Sequence, residues 1–261
     1  MSRIYKLVLL LLFSTAQIHA QLITSGGLTP TQLVQDVLVG QGIQLISVAS
    51  QGDTNAFGFF ESANTNLGLE RGVILTTGTI SGPDGPCGPN NAPNAGMDNG
   101  TPRFASLDLI TAPMLNYNAT ILELTFVPTG DSIFIEYVFA SEEYPAYIGS
   151  EFSDIIAIML TGPNPAGGFY DNYNIANTPG TSDPVNFDMP PFFIVNNSIP
   201  SPGITIQYDG FTIPFLAKAG VMNDSAYIIR IAVSDIGDGI YFEREIYEED
   251  CCTIRINYFF F

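Results

Sequence analysis

The chain has 261 residues, enough to bury a core in one domain or two, and carries 8 Lys+Arg against 26 Asp+Glu, a formal net charge of -18. Charged residues are only 13% of the chain, while 25 Gly, 18 Pro, 19 Phe and 12 Tyr favour a turn-rich all-β chain over a helical one. The acidic balance excludes the Lys/Arg surface that nucleic acid requires, and equally the basic patch that docks on anionic lipid.

In chain order, the first element is a leader. Arg3 and Lys6 form a positive n-region, Leu7 to Phe13 an apolar run, and Ala16-Gln17-Ile18-His19-Ala20 ends in a small residue suited to cleavage. Residues 1–20 are therefore expected to be a secretory signal peptide, too short in its apolar part for a membrane span. The mature chain would begin at Gln21, without a transmembrane segment, secreted or at the cell surface.

Cleavage there removes two of the eight basic residues and the only histidine, His19, leaving six basic against 26 acidic residues, a net charge of -20. No Ser-His-Asp or Cys-His arrangement can then form, and no His-ligated zinc or iron site. The remaining acids and bases are carboxylates, tyrosines and Lys218. The three cysteines, Cys87, Cys251 and Cys252, permit one bridge, between Cys87 and the C-terminal pair.

Thr29 to Gly40 is the helix candidate: Thr29 suits the N-cap, Pro30 the first turn and Gly40 the C-terminal cap, with Leu33, Val34, Val37 and Leu38 on one face. Strands are predicted at Ile43–Ala49, Ala56–Phe60 and Gly72–Ile80. Ser81 to Pro102, rich in Gly, Pro and Asn, reads as one long loop.

Ala119–Val127 and Ser132–Ala140 alternate apolar and polar residues around Pro128-Thr129-Gly130-Asp131, which predicts a hairpin with one face largely buried. Asp154–Thr161 is apolar enough for a central strand. Val185–Val195, broken by Pro190-Pro191, is at best an edge. Ile204–Tyr208, Phe211–Ala219 and Ser225–Ser234 follow. The expected fold is all-β: a two-sheet β-sandwich, jelly-roll-like, with one short N-terminal helix.

Several strings together resemble the choice-of-anchor L domain, a module of exported bacterial surface proteins frequent in Bacteroidetes. They are Phe126-Val127-Pro128-Thr129-Gly130-Asp131; Tyr137-Val138-Phe139-Ala140-Ser141-Glu142-Glu143-Tyr144-Pro145 with Phe152-Ser153-Asp154; Tyr208-Asp209-Gly210-Phe211-Thr212; and Ile231-Ala232-Val233-Ser234-Asp235-Ile236-Gly237-Asp238. The Phe-Ala-Ser-Glu-Glu-Tyr-Pro string is the most specific. The resemblance spans about Leu33 to Asp238, so residues 21–238 are expected to form the domain and 239–261 a divergent C-terminal tail. It implies a surface module, not a reaction.

Glu142-Glu143 follows a strand directly, with Glu151 and Asp154 a short loop away. Such a strand-end loop can supply the several oxygens that Ca2+ takes. Glu142, Glu143 and Asp154 are therefore candidate Ca2+ ligands, joined by Asp235 and Asp238 if the strand ends converge. Against this stand a plain solvated acidic loop and, for Asp235 to Gly239, an ordinary turn. Lys218 is expected on the polar face of its strand.

The function these readings favour is a non-enzymatic surface module that mediates adhesion or binds a surface ligand, protein or glycan. The competing class is a secreted glycosidase using paired carboxylates, which needs one raised and one ordinary pKa at a suitable separation.

Overall fold

The computed structural model describes residues 22–40, 42–62, 65–82, 85–88, 90, 99–150, 154–186, 190–199, 206–236 and 252–260, the last segment along its backbone. The expected leader lies outside these residues. The strands are β1 (Ile23–Ser25), β2 (Ile43–Gln51), β3 (Phe57–Glu61), β4 (Arg71–Thr76), β5 (Asn116–Pro128), β6 (Ser132–Ser141), β7 (Ile155–Pro163), β8 (Phe169–Asn174), β9 (Val185–Asn186), β10 (Phe193–Val195), β11 (Gly210–Thr212), β12 (Phe215–Gly220), β13 (Tyr227–Ile236) and β14 (Cys252–Phe260).

They form two antiparallel sheets. One runs β1-β3-β4-β14-β6-β11-β10, with β12 also on β6. The other runs β2-β5-β13-β7-β8, with β9 also on β7. One large core joins them: Leu122, Leu124 and Phe126 of β5, Ile156, Ile158 and Leu160 of β7, and Ile229, Ile231 and Val233 of β13 face Ile133, Ile135, Tyr137 and Phe139 of β6. The sandwich is the expected fold.

The N-terminal helix is present but irregular. Pro30–Gln32 (α1) is capped by a reciprocal Thr29–Gln32 box and runs directly into a π-helical turn, Leu33–Leu38. Leu33, Val34 and Leu38 are buried, as the periodicity predicts, while the helix stops at a Val39 cap, short of Gly40. A second short helix, α2 (Asp108–Thr111), was not expected.

The predicted hairpin is a correction. β5 and β6 alternate as expected, but β5 pairs with β2 and β13, and β6 with β11, β12 and β14. The Pro128–Asp131 link crosses from one sheet to the other, an arch instead of a hairpin. Its backbone bonds go outward, from Thr129 N to Gly42 O at 2.9 Å and from Val221 N to Asp131 O at 2.8 Å. Each strand takes its backbone partners within its own sheet, and the apolar faces of the two meet across the core.

Cys252–Phe260, set apart from the domain by the sequence reading, is inserted between β4 and β6, paired with both. Cys87 is a free thiol, 3.1 Å from Thr24 Oγ1; Cys251 lies outside the described residues. Part of the long glycine-rich loop is tied down: Cys87 bridges to Ile206, and Asn90 Nδ2 donates to Asn196 O at 3.0 Å and to the Asp209 carboxylate. Lys218 stands on the outer side of β12, its Nζ 5.1 Å from the centroid of the Phe134 ring, as the alternation predicts.

Candidate functional site at the acidic end of the sandwich

Inward positions repeat every second residue along a strand. On β6 the inward series Ile133, Ile135, Tyr137, Phe139 continues to Ser141. On β7 the series Leu160, Ile158, Ile156 continues to Asp154, and on β13 Ile229, Ile231, Val233 continues to Asp235. The register of β13 on β7 pairs Ser234 with Ile155, so Asp235 stands opposite Asp154 one step further along. Three apolar stripes thus end in polar residues at the same end of the molecule.

Direct bonds join the two sheets there. Ser141 Oγ donates to Asp154 Oδ2 at 2.7 Å and accepts from Glu143 N at 3.0 Å. Asp154 N donates to Glu143 Oε2 at 3.3 Å. Asp235 Oδ2 accepts from Asn118 Nδ2 at 3.0 Å. Asn118 reaches it from a bulge in β5, where the register slips between Val233 and Asp235 and Asn118 adopts φ 50°. Asparagine tolerates that left-handed conformation better than most residues.

The acids are not a solvated loop. Glu142, Glu143, Asp154 and Asp235 are buried, with 4%, 5%, 1% and 2% of their surface exposed. Burying a carboxylate is costly unless hydrogen bonds or a cation compensate it. Bonds to charged groups contribute roughly 1.5–3 kcal/mol each, so the Ser141, Asp154 N and Asn118 donors offset part of that cost.

The structure therefore brings Glu143 and Asp154 together through Ser141 and places Asp235 at the same end. Glu142 is buried beside them in sequence. Asp238 and Glu151 lie outside the described residues. Among the described residues no group of three or more His, Cys, Asp or Glu side chains is arranged to hold a metal. Ser141 and Asn118 were missed by the sequence reading. Ser141 was legible as the next inward position of β6; Asn118 was not, because its role depends on the bulge.

Compared with known protein families, residues 23–244 match the choice-of-anchor L domain. The chain belongs to the choice-of-anchor L domain family. Membership makes it a surface-associated or secreted module. The strings that carry the resemblance are those that build this end: Ser141, Glu142 and Glu143 from one, Asp154 from its continuation, Asp235 from the last. No curated protein and no solved structure matches the chain. Among the described residues no helix is long and apolar enough to cross a membrane.

Proposed function

We propose that this choice-of-anchor L domain is an exported, non-enzymatic β-sandwich module that mediates adhesion by binding a protein or glycan at the cell surface. Family membership over residues 23–244 carries the reading. The leader-like N-terminus and the absence of histidine after residue 20 support it. The glycosidase alternative has less support. Glu142 and Glu143 are buried, and neither lines the surface depression around Tyr170 and Lys218 or that around Glu70 and Arg71.

The test is localisation of the full chain in its native cell, by protease shaving and antibody labelling of intact cells. N-terminal sequencing of the exported protein should give Gln21 as the first residue. A chain found wholly inside the cell overturns the proposal. Turnover of a glycan that is lost in Glu143→Gln would move it to the enzyme class.

A second reading concerns Ca2+, bound by Glu142, Glu143, Asp154, Asp235 and Asp238. Four buried carboxylates, from the loop after β6, the residue before β7 and the end of β13, at one end of a chain of net charge -18, favour it. A cation bound only by the folded state would stabilise it by about 2.7 kcal/mol at a hundredfold excess over Kd. Melting with Ca2+ and with chelator reads this directly. A shift lost in Glu143→Gln and kept in the exposed control Asp183→Asn supports the site; an unchanged midpoint with no heat of Ca2+ binding removes it.

A further inference from the structure

The sandwich has an open side. β8 is the edge of one sheet, paired only with β7, and β12 an edge of the other, paired only with β6, among the described strands. Between them lies a depression of about 750 Å³, its lining including Asn164, Phe169, Tyr170, Asp171, Tyr173 and Lys218. We propose that this groove binds a neutral glycan. The inference deepens the surface-binding reading above and rests on it.

The rings are exposed in a way the fold does not require. Phe169 is 64% and Tyr173 53% exposed, although most aromatic side chains among the described residues pack on the cores. Their placement follows from a bulge. Tyr173 pairs with Leu160 and Tyr170 with Gly162, so two residues of β8 span one of β7, and Asn172 takes φ 46°. The slip puts Tyr170 and Tyr173 on one side of the strand, with ring centroids 5.5 Å apart at 30°.

The lining is held in place before any ligand arrives. Asn172 Oδ1 accepts from Arg230 Nη1 at 2.9 Å, and Arg230 Nε is anchored on Glu123 Oε2 at 2.6 Å. The turn before β8 is closed by Asn164 N to Gly168 O at 3.1 Å and Gly167 N to Asn164 O at 2.8 Å. Tyr227 OH fixes Pro163 O at 2.7 Å. Such a turn loses little backbone freedom on binding.

The ligand class follows from the chemistry of the lining. A pyranose has an apolar C–H face and an edge of hydroxyls. Phe169 and Tyr173 offer faces to the first; Asn164, Asp171 and Lys218 offer acceptors and donors to the second. One ammonium and one carboxylate leave the groove itself neutral, in a chain of net charge -18 that repels sulfated or uronic polymers at longer range. A hydrophobic peptide needs a continuous apolar floor, which the interspersed polar residues interrupt.

The experiment is calorimetric titration of the chain from Gln21 to Phe261 with neutral hexasaccharides of β-1,4-glucose, α-1,4-glucose, mannose and N-acetylglucosamine. A hyaluronan hexasaccharide serves as the anionic control, and an arrayed peptide library as the control for strand addition at the two edges. At least one neutral hexasaccharide is expected to bind with Kd of about 1 mM or tighter. Phe169→Ala and Tyr173→Ala should each weaken it about tenfold, while Tyr173→Phe keeps most of it. The melting point should stay put in all three, because the rings are exposed.

No binding by any neutral hexasaccharide overturns the inference. So does binding that survives both alanine variants, tighter binding of hyaluronan, or peptide binding that the alanine variants abolish. A surface-exposed protein that fails these titrations loses the glycan assignment alone. An intracellular protein loses the surface reading, whatever it binds in the calorimeter.

Discussion

The ring of Tyr144 occupies the space that a side chain on Gly210 would need, its Cδ1, Cγ and Cβ closing over the glycine. The same ring stacks on Phe193 with centroids 4.4 Å apart at 17°. Tyr144 belongs to the Ser-Glu-Glu-Tyr-Pro string and Gly210 to the Tyr-Asp-Gly-Phe-Thr string, so two family motifs distant in sequence meet here. Gly210 opens β11 and pairs with Ser141 on one side and Val195 on the other. The contact therefore fixes the acidic turn against β10 and β11.

Gly210→Ala should destabilise the fold by about 1–3 kcal/mol, the usual cost of forcing a methyl into a packed site. Urea unfolding measures it. Tyr144→Ala, which empties the site, should cost about 3–5 kcal/mol. Because both changes act on one contact, the double variant should lose clearly less than the two single losses together. Strict additivity would show that the glycine matters for another reason.

Much of this architecture was legible because alternation is a local property. The faces of β5 and β6 could be read from Leu122, Leu124, Phe126 and Ile133, Ile135, Tyr137, and their burial follows. Their partners could not be read, since a strand with one apolar face serves a hairpin and an arch equally well. β8 went unseen because Phe169-Tyr170-Asp171-Asn172-Tyr173-Asn174 has no apolar periodicity of its own, and its bulge shows only in its register on β7. At the acidic end, the residue types were legible and their burial was not. Sequence leaves Glu142 and Glu143 as either cation ligands or a solvated loop; in the structure Ser141 ties Glu143 to Asp154 across the two sheets.

Deleting residues 252–260 should abolish cooperative folding. β14 pairs from Thr253 to Ile256 with β4 and from Cys252 to Phe260 with β6, so its loss divides one sheet in two and leaves two inner edges unpaired. Unpaired backbone groups at such edges invite aggregation. The expected product is insoluble, or compact without near-UV circular dichroism. A truncated chain that melts at the full-length midpoint would show that β14 contributes nothing to the sheet.

Tyr227→Phe should cost about 1–3 kcal/mol. The hydroxyl donates to Pro163 O at 2.7 Å and accepts from Met222 N at 2.8 Å, so its removal leaves two backbone groups without that partner. The ring itself stays useful, packed against Gly162 and 6.0 Å from the Phe126 centroid. Urea midpoints of the two proteins give the difference. The groove beside β8 should loosen as well, read as faster amide exchange at residues 164–168.

Glu136 makes the fold sensitive to pH. It lies on the outward side of β6, half-buried, opposite Leu216 of β12 and at the register position of Asn257 of β14. Burial raises its carboxyl pKa above the ordinary value. The folded state then binds the proton more tightly than the unfolded chain does. Stability from this group is fully present below the unfolded carboxylate pKa and is lost as pH rises through the raised folded value. Glu136→Gln keeps the shape and removes the ionisation. It should melt above the parent at pH 7, and the two melting points should converge as pH falls below the ordinary carboxyl value of 4.5, where the parent's carboxyl becomes protonated in both states. A gap that is constant with pH would assign the effect to packing, and a parent more stable than the variant at pH 7 would reverse the sign argued here.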